Sequence, residues 1–94
     1  MWYMEFRASH ILVKDRNLAE QLLKRAKTGA NFAALARDFS TCPSRTKGGD
    51  LGWFGEGAMV PAFEQAVKRM SVGSISSIVS TQFGYHIIKK TGSR

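Results

Sequence analysis

Hydrophobic and polar positions alternate between two periods along this chain. Residues 5–13, EFRASHILV, close on an apolar, β-branched run, which predicts a strand with His10 just ahead of its most buried part. Asp15 is then placed to cap a helix in which Leu18, Ala19, Leu22, Leu23 and Ala26 recur at helical spacing. Lys24, Arg25 and Lys27 load its last turn, where cations suit the helix dipole, and Gly29 ends it. Asn31 caps a second helix whose apolar side is Phe32, Ala33, Leu35, Ala36 and Phe39, with Pro43 enforcing a stop soon after. Residues 44–58 hold five of the nine glycines and read as a loop with special backbone angles, LGWF forming a short strand inside it. Pro61 opens a third helix with Phe63, Ala66, Val67 and Met70 on one face and Gly73 as its stop. ISSIVS (75–80) and GYHIIKK (84–90) read as two further strands. The order predicts an α+β domain, a small, mainly antiparallel sheet with helices packed on it.

Composition narrows this picture. At 94 residues, 44% hydrophobic and 22% charged, the chain is one small globular domain and excludes a disordered tail, a collagen-like repeat and a coiled coil. A single cysteine excludes an intramolecular disulfide framework. Fourteen Lys and Arg against seven Asp and Glu give a formal charge of +7, which brings nucleic acid or an acidic partner into consideration. The cations are scattered, however, with only Lys24-Arg25-Ala26-Lys27 and Arg45-Thr46-Lys47 as clusters, so the charge is also explained by solubility alone. The start, MWYMEFRASH, lacks the basic and apolar regions of a secretory signal. The longest run free of Asp, Glu, Lys and Arg, residues 70–88, carries five serines and is no membrane span. A cytoplasmic location follows as the expectation. Met1 and the ending just after the last strand suggest a stand-alone protein.

The inventory for chemistry is short. His10 and His86 sit in apolar strands, where an imidazole is costly to bury unless hydrogen-bonded. They are either two separate core histidines or a pair brought together by the first and last strands, with a hydroxyl such as Thr81 fixing the outer tautomer. Cys42 before Pro43 is a small buried hydrophobe or, beside a histidine, a nucleophile. No local hydrolase signature accompanies it, and the close ligand pairs usual for zinc are absent around Cys42, His10 and His86. Leu51, Met59 and Phe63 are core residues or the walls of a shallow apolar pocket that fits a small ring. The glycines after Lys47 match no phosphate-binding spacing.

Four segments in register carry a resemblance: HILVK at 10–14, FAALARDFSTCPS at 32–44, GGDLGWFGEGAMVPAF at 48–63 and TQFGYHIIK at 81–89. Together they look like a parvulin-type peptidyl-prolyl cis/trans isomerase, closest to the small single-domain bacterial parvulins. The resemblance covers about residues 8–90 of one domain spanning 1–94. It implies a four-stranded antiparallel sheet surrounded by four helices, one of them short. It implies His10, Cys42, Thr81 and His86 as the catalytic set, expected to form one hydrogen-bonded group. Leu51, Met59 and Phe63 would form the proline pocket, with Phe83 as a further wall. No cofactor and no metal are implied. Partners would be proline-containing peptides and folding protein clients, bound by a monomer. Phosphate-specific relatives carry a longer basic loop after the first strand. Here Lys14-Asp15-Arg16 leads almost directly into the helix, so no strict phosphate requirement is expected. The competing readings are a non-catalytic proline-binding chaperone or adaptor, and a basic nucleic-acid-associated protein.

Overall fold

In a computed structural model, residues 4–94 are described. Residues 1–3 of the aromatic start lie outside them. Strand β1 (Glu5–Val13) runs between β2 (Asp50–Gly55) and β4 (Gly84–Ser93), and β3 (Val79–Thr81) completes an antiparallel sheet in the order β2-β1-β4-β3. The first and last strands of the chain are thus its two central ones.

The first helix, α1 (Arg16–Lys27), begins where the sequence predicts, with the Asp15 carboxylate accepting from the Asn17 N–H at 2.9 Å. Asn31 does the same for α2 (Phe32–Phe39), accepting from the Ala34 N–H at 3.0 Å. Strand alternation gives the sheet two buried faces. On one, Ile11, Val13 and Ile87 pack under Ala19, Leu22 and Ala26 of α1 and Phe32, Leu35 and Ala36 of α2. On the other, Phe6, Ala8 and Ile88 pack with Phe54 of β2 and with Phe63 and Val67 of α3 (Pro61–Arg69). Burial on both sides explains the consecutive apolar residues Ile11–Val13 of β1 and Ile87–Ile88 of β4.

Three boundaries depart from the sequence reading. Among the described residues the helix count is three α-helices rather than four. The remaining helical piece is a five-residue 3₁₀ helix, Pro43–Lys47, opened by a proline and ended by Gly48 at φ 67°. Helix α3 stops at Arg69, short of Gly73, because Met70 turns extended and its carbonyl accepts from the buried Lys90 ammonium at 2.8 Å. Residues 75–80 do not form a strand throughout. The buried Ser76 hydroxyl accepts from the Ile88 N–H at 3.0 Å, replacing a ladder bond, and only an Ile75–Lys89 bridge precedes β3.

Candidate active site

The register of the central strands places the histidines. His10 lies opposite Ile88 and His86 opposite Leu12, so the two imidazoles are diagonal neighbours on the face that carries α3. Their Nδ1 atoms are 3.0 Å apart, and the rings stack with centroids 5.1 Å apart at 22°. One Nδ1 must therefore carry a proton and the other accept it. The Thr81 hydroxyl, brought alongside by β3, lies 2.7 Å from His86 Nε2 and also accepts from the Phe83 N–H at 3.2 Å. A hydrogen-bonded chain Thr81–His86–His10 results, and donation in either direction along it keeps both rings neutral. Its far end, His10 Nε2, is buried and has no partner among the described residues.

Phe63 of α3 stands edge-on to both imidazoles, at 5.6 Å from His10 and 5.5 Å from His86. It packs against them from the helix side, and both are buried. That burial, together with the nearby His86, pushes the His10 pKa down to about 4, and burial also lowers that of His86. Both rings are neutral at pH 7.

Above this floor opens a cavity of about 600 Å³. Leu51, Met59, Phe63 and Phe83 form its apolar sides, and Cys42, His10 and His86 border it too. Thr81 stands behind His86 and does not line the cavity. Cys42 is on the rim and is not part of the hydrogen-bonded chain. Its Sγ accepts from the Ser44 hydroxyl at 3.3 Å, and no hydrogen bond joins it to either imidazole among the described residues. A cysteine without a base beside it is poorly equipped for nucleophilic attack. No group of three or more His, Cys, Asp and Glu side chains is arranged to hold a metal among the described residues.

Several residues that position the site were not singled out from the sequence. The buried Ser40 hydroxyl accepts from the Leu12 N–H at 3.0 Å and the Cys42 N–H at 3.3 Å, hanging the Cys42 segment on β1. Gly49, at φ 87°, brings its carbonyl to the His10 N–H at 3.0 Å. A Cβ there would sit 2.5 Å from the His10 carbonyl oxygen, so only glycine allows the approach. The Glu64 carboxylate accepts from the Gly57 N–H at 2.6 Å, pinning to α3 the loop that carries Met59. A polar residue at an apolar helix exit marks Ser40 in the sequence, but nothing local marks its two partners. Among the described residues, Lys14 is the one charged residue lining the cavity.

Residues 10–92 match the family model of the PPIC-type peptidyl-prolyl isomerase (rotamase) domain. The foldase protein PrsA of Bacillus subtilis is 50% identical over 91 residues, which cover 96% of this chain and 31% of that protein. The chain therefore spans about a third of the length of the curated foldases it matches. The crystal structure of the peptidylprolyl isomerase PrsA from Bacillus anthracis superposes with a TM-score of 0.96 at 48% identity, covering 99% of this chain and 43% of that one. The solution structure of NmPin, the parvulin of Nitrosopumilus maritimus, superposes with a TM-score of 0.83 at 39% identity, covering 94% of this chain and 96% of that one.

Proposed function

The chain belongs to the family of PPIC-type, or parvulin-type, peptidyl-prolyl cis/trans isomerase domains, and from that premise we propose how its pocket accelerates rotation about Xaa-Pro bonds in folding polypeptides. The uncatalysed barrier is about 18–20 kcal/mol and arises from amide resonance. A thousandfold acceleration requires about 4 kcal/mol of preferential stabilisation of the twisted amide. The proline ring enters between Leu51, Met59 and Phe63, with Phe83 as the outer wall. Holding the ring there lets the preceding carbonyl swing while the apolar walls strip it of water. Planar amides are the more polar form and lose most from that desolvation.

The observation that carries this reading is the neutral Thr81–His86–His10 chain lying under an apolar cavity. Two uncharged imidazoles set a fixed, modest field beneath the rotating bond and shield it from bulk water. Cys42 borders the cavity as a weakly polar group, and the reaction needs no covalent bond from it. The lack of a strict phosphate requirement has structural support. Asp15 is spent on capping α1, and Arg16 pairs with Glu20 at 3.4 Å and stacks over Tyr85. Lys14 alone makes a poor site for a dianion. Action as a monomer belongs to the same proposal, and sedimentation velocity of the purified chain tests it.

Exchange NMR of Xaa-Pro peptides, with Leu, Phe, Lys, Glu and phosphoserine before proline, tests the proposal. Acceleration across the unphosphorylated set is the expected result. Acceleration confined to phosphoserine would overturn the reading of the loop, and binding shifts without acceleration would leave a proline-binding adaptor. A cytoplasmic location belongs to the same proposal, in keeping with a lone cysteine that needs no oxidative pairing. Recovery of the protein outside the cytoplasmic fraction would refute it.

A further inference from the structure

The positive charge of this chain is unevenly placed. Residues 24–47 hold six of the fourteen cations and one of the seven carboxylates, Asp38, a net +5 of the formal +7. None of these six cations takes part in an ion pair among the described residues; the pairs engage Arg7, Arg16, Lys68 and Arg94 instead. The fold brings parts of the segment together. The Arg25 guanidinium lies 5.7 Å over the half-exposed Phe39 ring at the end of α2, and Arg45 of the 3₁₀ helix donates from Nε to the Arg37 carbonyl at 3.0 Å. Lys24 and Lys47 are exposed at the two sides.

This segment reaches the cavity through the 3₁₀ helix. The 3₁₀ helix starts at Pro43, which lines the cavity beside Cys42, and carries Arg45 and Lys47 away from it. A 3₁₀ helix rises about 2 Å per residue, so the cations begin within about 10 Å of the cavity wall. A bound polypeptide in extended form covers that distance in about three residues. Among the described residues, Lys14 is also the only charged residue lining the cavity, while Lys47 lies near Asp50, itself paired with Arg7.

We infer that Arg25, Arg37, Arg45 and Lys47 form a docking surface for an acidic segment of the client polypeptide, a few residues from the proline held in the cavity. The inference rests on the isomerase reading and names the class of client that site prefers. The surface acts through exposed ion pairs, each weak and screened by salt, so its effect lies in binding rather than in the bond rotation. Proximity to the cavity favours a polypeptide occupant over a nucleic-acid backbone, which has no reason to align with the proline pocket.

The test uses peptides with one Leu-Pro core and a block of four residues, glutamate or serine, placed on either side of it. The block is set either three to five or about ten residues from the proline. Exchange-NMR rates give kcat/KM, and amide shifts report binding independently. A several-fold advantage for the nearby glutamate block is expected, expressed in KM and lost at about 0.5 M salt. The advantage disappears in R37Q/R45Q/K47Q, whose rate on the serine peptide stays as in the parent. Since Arg45 makes an internal hydrogen bond, R37Q/K47Q is the second variant and lowers the advantage in part. Equal rates for glutamate and serine peptides, or an advantage that survives the triple variant, overturn the inference. If no peptide is accelerated, the isomerase reading fails by itself. Shifts at Arg37 and Arg45 with a proline-free glutamate peptide then still decide the docking surface. Tight binding of single-stranded DNA that leaves peptide binding unaffected counts against the proposed occupant.

Discussion

Two neutral imidazoles buried in the sheet make the stability of this domain depend on pH in a defined direction. His10 titrates near its ordinary value of 6.5 when unfolded but at about 4 when folded. Between those limits the unfolded chain binds a proton that the native state refuses, so the free energy of unfolding falls as pH falls. At about 1.4 kcal/mol per pH unit, His10 accounts for roughly 3 kcal/mol between pH 6.5 and 4. His86, lowered by burial, acts in the same sense and starts in the same place. The Asp50 carboxylate, held low by its hydrogen bonds to Arg7, loses its contribution only below 3.8 and so lies outside this window. Native domains are stable by about 5–15 kcal/mol, so the loss is a large fraction of the total. Urea unfolding at pH 7.5, 6.0, 5.0 and 4.5 measures it. With a slope of about 1–3 kcal/mol per molar, the midpoint shifts down by about 1–3 M. The shift is confined to pH below about 7, and H10Q, which cannot titrate, flattens most of it. A midpoint that is constant across the range, or that rises on acidification, would refute the claim that the pair is buried and neutral.

Five substitutions separate the structural from the chemical contributions. Gly49→Ala places a side chain at φ 87° and 2.5 Å from the His10 carbonyl oxygen, so thermal unfolding should show a loss above about 1–2 kcal/mol; an unchanged midpoint contradicts the close approach. Thr81→Val removes the partner of His86 Nε2 and of the Phe83 N–H, costing about 1–3 kcal/mol and slowing isomerisation, with the nitrogen NMR shifts of His86 moving as its tautomer is released. Phe63→Ala opens the core between both imidazoles and Phe54 and costs about 3–5 kcal/mol, whereas Met59→Ala, at a half-buried position, mainly raises KM; the reverse ranking in chemical denaturation and kinetics would mean that Met59 is the core residue. Cys42→Asp keeps most of the activity, because Sγ has only the Ser44 hydroxyl as its partner, and a folded variant reduced to the uncatalysed rate would point to a step that needs the thiol.

Much of this protein is legible in its residues one segment at a time. The two helix caps, Asp15 and Asn31, and the bounds of the first strand follow from local chemistry, since a cap or an alternating run satisfies itself within a few positions. The candidate residues around the cavity follow from residue type and from motifs in register. What local chemistry does not reach is anything settled between distant segments. Helix α3 ends at Arg69 because the carbonyl of Met70, the next residue, accepts from the ammonium of Lys90, twenty residues beyond Met70. The stretch from Ile75 fails as a strand because the Ser76 hydroxyl finds the Ile88 N–H. Cys42 leaves the histidine pair for the rim because Ser40 anchors its segment to Leu12. The pairing of His10 with His86 required the first and last strands to become central neighbours in one register, and a slip by a single residue would have turned one imidazole to the opposite face. The sequence by itself determined most of the elements, though not all their bounds, and the chemical groups available. Tertiary structure decided which groups meet, because burial, neutrality and hydrogen bonding across 76 residues of chain exist only once the sheet has closed around them.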